Sequence, residues 1–114
     1  MRRRSAAAAI VLATLVVSLP GGSAGAASET TVRVGDFFFA PAQKTVASGT
    51  KVKFKWVGSF RHHVVKRSGP GGGFESPATS ARGVNLAKRF NKAGTYRIIC
   101  TIHPEEMRLK LTVK

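Results

Sequence analysis

The sequence contains a single cysteine, Cys100, among its 114 residues. An intramolecular disulfide is therefore excluded, and the small core must hold together without that kind of cross-link. A lone thiol is easily oxidised in an oxidising compartment unless it is buried or bound to a metal. If the protein is exported, Cys100 must be protected by one of these two means.

Acidic residues are also scarce, with five Asp and Glu against 19 Lys and Arg and a formal net charge of +14. Such an excess favours acidic protein partners, anionic membrane lipids or anionic cell-wall polymers. Nucleic acid is the usual partner of a chain this basic. We nevertheless predict no nucleic-acid binding, because the sequence carries no recognition motif and begins like an exported protein.

No apolar run is long enough to cross a bilayer, which needs about 20 residues. Residues 6–19 are apolar, follow three arginines at 2–4, and precede the small residues 24–26, as in a cleavable signal peptide. We predict a signal peptide at residues 1–27 and a secreted or periplasmic domain at residues 28–114. Losing the three arginines lowers the charge from +14 to +11.

The export route and the anchoring can also be predicted. The consecutive arginines are compatible with export by the twin-arginine route. Bulky apolar residues do not follow them, however, so ordinary secretion is favoured. No cysteine lies near the cleavage region, so we expect no lipid anchor. The mature protein should be a soluble monomer in the secreted or cell-envelope compartment.

The mature chain has the alternating apolar and polar residues, and the intervening glycine-rich turns, of a β-protein. In residues 51–57, Val52, Phe54 and Trp56 alternate with lysines, which predicts a strand with one apolar face. Residues 84–90 fit either a helix face or a strand, and we favour a strand. Further strands are predicted at 31–34, 43–47, 94–100 and 107–113, with a Gly-rich loop at 68–73 that closes the segment 62–67. The fold class predicted is all-β, a two-sheet Greek-key sandwich.

Three residues with metal-binding side chains, Cys100, His103 and Met107, lie close together between two predicted strands. Thiolate, imidazole and thioether suit copper, and two histidines and a cysteine with a weak axial methionine form a blue-copper site. The missing imidazole must come from His62 or His63. Strand alternation sends these two to opposite faces, so only one can reach the metal, and the neighbouring residues do not say which.

Several motifs in this order resemble the cupredoxin, or type 1 blue-copper, family, and are similar to those of plastocyanin, amicyanin and pseudoazurin. The motifs are Phe39-Ala40-Pro41 in the first loop, residues 52–57, His62-His63-Val64-Val65, Ser68-Gly69-Pro70, Gly94-Thr95-Tyr96 and Cys100-Thr101-Ile102-His103-Pro104.

The resemblance implies one copper ion, alternating between Cu(I) and Cu(II), held by His62, Cys100, His103 and Met107. It implies transfer of single electrons to a redox protein partner, which the basic charge predicts to be acidic. It also implies that His103 reaches the surface through an apolar patch, which the adjacent Pro104 fits.

The sequence departs from the family pattern at two positions. His63 stands where the family often has an asparagine that ties the ligand loops together, and an imidazole N–H could make a similar hydrogen bond. Three residues separate His103 from Met107, as in azurin-like loops. Met107 is also in phase with Leu109 and Leu111, so a role as a core methionine remains open.

Three other functions were compared with electron transfer. A multicopper oxidase is disfavoured because Ile99 and Thr101, rather than histidines, flank Cys100, and the chain has only three histidines. A cysteine nucleophile lacks any signal for its partner groups. We therefore predict that the protein is not an enzyme. Copper storage or delivery with the same ligands remains open.

Overall fold

The computed structural model describes residues 28–114, which contain eight β-strands and no α-helix. The predicted signal peptide lies outside the described residues. In chain order the strands are β1 (Glu29–Gly35), β2 (Phe38–Ala40), β3 (Gln43–Val46), β4 (Thr50–Trp56), β5 (Val64–Ser68), β6 (Gly83–Phe90), β7 (Gly94–Cys100) and β8 (Arg108–Val113). Among these residues, no helix offers a long apolar span that could cross a membrane.

The strands form two four-stranded sheets, in the orders β2-β1-β4-β6 and β3-β8-β7-β5. The β1–β4 and β3–β8 pairs are parallel, and the other neighbours are antiparallel. Each sheet thus mixes sequence-distant strands, as expected of a Greek-key sandwich. The predicted all-β, two-sheet fold is confirmed.

The core lies between the sheets because buried and exposed residues alternate along the strands. In β4, Val52, Phe54 and Trp56 are buried, while the lysines between them face outward. The same period-two pattern in β7 and β8 buries Ile98, Cys100 and Leu109. Burial of one face of each sheet against the other excludes water from the layer in which Cys100 lies.

The predicted strands are all present, with ends shifted by a few residues. Residues 84–90, ambiguous in sequence, belong to β6 and pair with β4. A bulge between Phe54 and Lys55 shifts the register of this pair, which explains why strand alternation in β6 is imperfect. One assignment was wrong: residues 39 and 40, placed in a loop, belong to β2, because Gly35 and Phe38 pair across a two-residue turn.

Candidate metal centre

Three of the predicted ligands meet at one point in the structure. One ligand atom each from His62, Cys100 and His103 lies within 4.8 Å of the others. The Sγ of Cys100 is 3.9 Å from Nδ1 of His62 and 3.9 Å from Nδ1 of His103. His62 and Cys100 are fully buried, whereas His103 is partly exposed.

His62 is fixed by its backbone at the edge of the sandwich. Its N–H donates to the carbonyl of Thr79 (3.0 Å), and its carbonyl accepts from the Thr79 N–H (3.1 Å). The Thr79 carbonyl also accepts a hydrogen bond from Nε1 of the buried Trp56 (2.8 Å). These bonds set the backbone position from which the His62 ring enters the core.

Asp36 holds the other side of the His62 ring. Its Oδ1 lies 3.0 Å from His62 Nε2. The backbone N–H groups of Ser59 and Phe60 donate to the Asp36 carboxylate and are the main reason its pKa falls from 3.8 to about 2, with His62 acting in the same direction. An ionised carboxylate accepts a hydrogen bond from Nε2–H, which leaves the lone pair of Nδ1 facing Cys100.

The loop from Cys100 to Met107 is closed by backbone hydrogen bonds. The Cys100 N–H donates to the Met107 carbonyl (3.1 Å), and the Met107 N–H donates to the His103 carbonyl (3.0 Å). Met107 is fully buried and immediately precedes β8. The hydrogen bonds therefore hold Cys100, His103 and Met107 in one short, tight loop beside the core.

The His63 ring lies outside this cluster and connects its own segment to the loop that begins after Cys100. Its Nδ1 lies 2.7 Å from Oγ1 of Thr101, and its Nε2 lies 2.6 Å from Oε1 of Glu75. Its backbone N–H faces Cys100 Sγ at 3.5 Å. The side-chain link between the ligand loops that was expected of His63 is thus present, and His62 is the histidine whose ring joins the cluster.

Exposed apolar side chains lie beside the partly exposed His103. The ring centroid of Phe37 lies 4.8 Å from that of His103 and 5.5 Å from that of Phe60, both edge-on. Phe37, Phe60 and Ile102 are each between 42% and 50% exposed. Such a group of exposed large apolar residues marks a contact surface, and here it frames one imidazole.

The residues around the cluster were only partly foreseen. Asp36 and Phe37 were missed, because they are distant in sequence and their turn carries no metal-binding motif. Only five acidic residues occur in this basic chain, so Asp36 could have been singled out from the sequence as a candidate for a functional role.

The sequence of this chain matches a known protein family. The family described as copper binding proteins, plastocyanin/azurin family, matches residues 26–114. No curated protein sequence gives a significant match.

Solved structures of amicyanin share the fold. A mutant in its reduced state is 24% identical, with 78% of this chain and 83% of that chain covered and a TM-score of 0.65. A reduced form in which tyrosine replaces tryptophan is 24% identical, with 81% and 89% covered and a TM-score of 0.66. A Cu(I) form in which glutamine replaces methionine is 24% identical, with 81% and 89% covered and a TM-score of 0.67.

The family match spans all eight strands and every residue of the cluster. The donor set also fits the metal, because a buried thiol with two imidazole nitrogens converging 3.9 Å from its sulfur is the His₂Cys set of a blue-copper site. The predicted family resemblance and the predicted cofactor are confirmed. This chain belongs to the plastocyanin/azurin family of copper-binding proteins, and copper is its cofactor.

Proposed function

We propose that this protein is an exported blue-copper protein that binds one type 1 copper ion through His62, Cys100, His103 and Met107 and transfers single electrons between redox partners. The observation that carries the proposal is the convergence of three donor atoms within 4.8 Å beside a partly exposed histidine. When bound, copper supplies one-electron chemistry between Cu(I) and Cu(II).

The ligand roles follow from donor chemistry and position. Cys100 would bind as a thiolate and the histidines as neutral imidazoles through Nδ1, the atoms that face one another. Met107 would be the weak axial ligand, supported by its complete burial and by the hydrogen bonds that close its loop. The fixed backbone of these residues would keep their positions similar in both oxidation states.

His103 is the natural route for the electron, because it alone of the four is partly exposed. Phe37, Phe60 and Ile102 around it offer an apolar surface on which a partner can dock closely. A partner docked on this surface would place its own redox centre near the His103 imidazole.

Burial of the ligands favours electron transfer over copper delivery. Delivery requires that an acceptor protein replace the ligands one after another, and His62, Cys100 and Met107 are all fully enclosed. The same burial removes Cys100 from any substrate, so we propose no enzymatic activity. Copper delivery with these ligands remains the alternative, and slow electron exchange combined with easy copper loss would favour it.

The charge of the chain supports an acidic redox partner and a monomeric state, because like charges keep copies of the chain apart. The +14 of the whole sequence, or +11 without residues 2–4, would steer a negatively charged protein toward the surface. Electron exchange with such a partner should slow steeply as salt rises, because exposed charges are screened beyond about 8 Å at physiological ionic strength. Rates that do not change with salt would argue against electrostatic steering.

The spectrum of residues 28–114 with added Cu(II) tests the site. We expect an intense visible band from thiolate-to-copper charge transfer, lost in Cys100→Ser and in His62→Ala. His63→Ala is the matched control, because His63 lies next to His62 but faces Thr101 and Glu75, so its variant should keep the band. A colourless protein, or colour that follows His63 instead, would overturn the proposal.

A further inference from the structure

A basic groove lies on the outer face of the β3-β8-β7-β5 sheet. It is a concavity of about 430 Å³ whose lining includes the cationic residues Arg67, Arg97, Arg108 and Lys110. All four are exposed, and no Asp or Glu is among its lining residues. The half-buried Ile99, whose chain neighbour is Cys100, is among its lining residues.

The cations of the basic groove repel one another. Arg97 and Lys110 are directly opposite across the β7–β8 pair, an arrangement that destabilises a sheet when the charges are alike. Within residues 28–114 neither has a salt bridge. Arg108 contacts Glu105 at 3.3 Å, but both side chains are exposed and such a pair contributes little. A bound anion would relieve this repulsion.

The outer face of the other sheet is also basic, but some of its cations have partners. Lys53 pairs with Glu29 at 2.9 Å, and Arg89 donates to the carbonyl of Gly49 at 2.6 Å. Its exposed pair Arg33 and Lys55 are opposite each other, as are Arg97 and Lys110 in the basic groove. This second pair provides a control of equal charge at a different place.

We propose that the basic groove docks an acidic, carboxylate-rich segment of a partner protein. Arginine forks bind carboxylates through two parallel hydrogen bonds, which favours carboxylates over a diffuse negative charge. A concave site with apolar Ile99 in its lining suits a protruding chain segment better than a flat bilayer surface. The inference rests on the proposed function in one respect, that this partner is the redox partner.

The groove is connected to the metal centre through Arg108. Its Nε donates to the carbonyl of Pro104 at 3.0 Å, within the loop between His103 and Met107. A carboxylate bound to Arg108 therefore lies next to the loop that carries three of the four proposed ligands. The groove would orient the partner while the apolar surface around His103 makes the close contact.

Titration of isotope-labelled protein with a short poly-glutamate peptide, followed by amide NMR at low salt, tests the groove. We use residues 28–114 because they form the complete two-sheet core. We expect shifts concentrated at the amides of Arg67, Arg97, Ile99 and Lys110. Arg97→Gln with Lys110→Gln should weaken binding about tenfold, since each lost ion pair contributes a modest amount.

The double variant Arg33→Gln with Lys55→Gln removes the same charge from the other sheet and should weaken binding by less than about twofold. Equal weakening by both double variants would mean that only net charge matters and would overturn the proposal. Shifts centred elsewhere would also overturn it. So would phosphatidylglycerol vesicles binding through Arg97 and Lys110 when the peptide does not.

The visible spectrum of the same sample with Cu(II) separates this inference from the proposed function. A blue protein that does not bind the peptide overturns the groove and leaves electron transfer standing. A colourless protein overturns the copper proposal, while peptide binding that depends on Arg97 and Lys110 would still support the groove.

Discussion

Replacing Asp36 with asparagine should loosen the metal centre without altering a ligand. In the folded protein the Asp36 carboxylate accepts hydrogen bonds from two backbone N–H groups, at Ser59 and Phe60, and faces Nε2 of His62 at 3.0 Å. Asparagine can still accept from the backbone through its one carbonyl oxygen. It cannot present a second acceptor or a negative charge to the imidazole.

The expected loss is set by the role of Asp36 as the hydrogen-bond partner of a ligand. Removal of such an outer partner typically lowers metal affinity by about 10- to 100-fold. Loss of a negative charge beside His62 also disfavours Cu(II) relative to Cu(I), so the reduction potential should rise.

In the metal-free protein, acid stability should change too. The Asp36 pKa is about 2 when folded and 3.8 otherwise, so its stabilisation, present above pH 3.8, is lost as the pH falls through 2.

Competition against a Cu(I) chelator measures the affinity, and voltammetry measures the potential. Glu75→Gln is the matched control, because Glu75 makes the same kind of contact with the ring of His63, and that ring is not part of the ligand cluster. The control should leave the affinity and the potential nearly unchanged. If Asp36→Asn binds copper with unchanged affinity and unchanged potential, then Asp36 does not position His62 and the reasoning fails.

Three further variants probe the surroundings of the site. Met107→Leu should keep the visible band but raise the reduction potential, because it removes a weak sulfur donor that stabilises Cu(II), and an unchanged potential would make Met107 a core residue only. Phe37→Gly should raise thermal stability, because Phe37 has a φ of 71° that costs a non-glycine residue about 1 kcal/mol or more, yet slow electron exchange by uncovering His103. Gly58→Ala should mimic Asp36→Asn in chelator competition, because a Cβ at Gly58 would lie 2.8 Å from the Asp36 backbone nitrogen and would collide with its carboxylate.

The fold and most of the candidate site could be predicted from the sequence because both are encoded locally. The alternation of apolar and polar residues at 51–57 and 107–113 specifies which face of each strand is buried, regardless of which strands pair with it. Cys100, His103 and Met107 lie in a single loop, so their proximity needs no knowledge of the tertiary structure. His62 could be chosen over His63 only by resemblance, and the structure shows the physical basis, since His62 is fully buried and His63 is not.

The parts that could not be predicted depend on contacts between distant segments. Asp36 meets His62 across 26 positions in the chain, and this contact exists only because β1 pairs in parallel with β4. The β2 strand was missed for a similar reason. Its three residues are too few to show a period, and pairing with β1 alone defines it as a strand. The basic groove likewise assembles from four strands, so charges that look scattered in sequence become neighbours.

The turn between β1 and β2 shows how these distant contacts make one site. Only Asp36 and Phe37 separate the paired residues of the hairpin, so the two side chains cannot move independently. Asp36 holds the inner imidazole of His62, and Phe37 packs against the outer imidazole of His103. The left-handed backbone of Phe37 is unfavourable for a non-glycine residue and persists where the surroundings impose it. A change in this turn should therefore alter both histidines at once, although neither histidine is its neighbour in the chain.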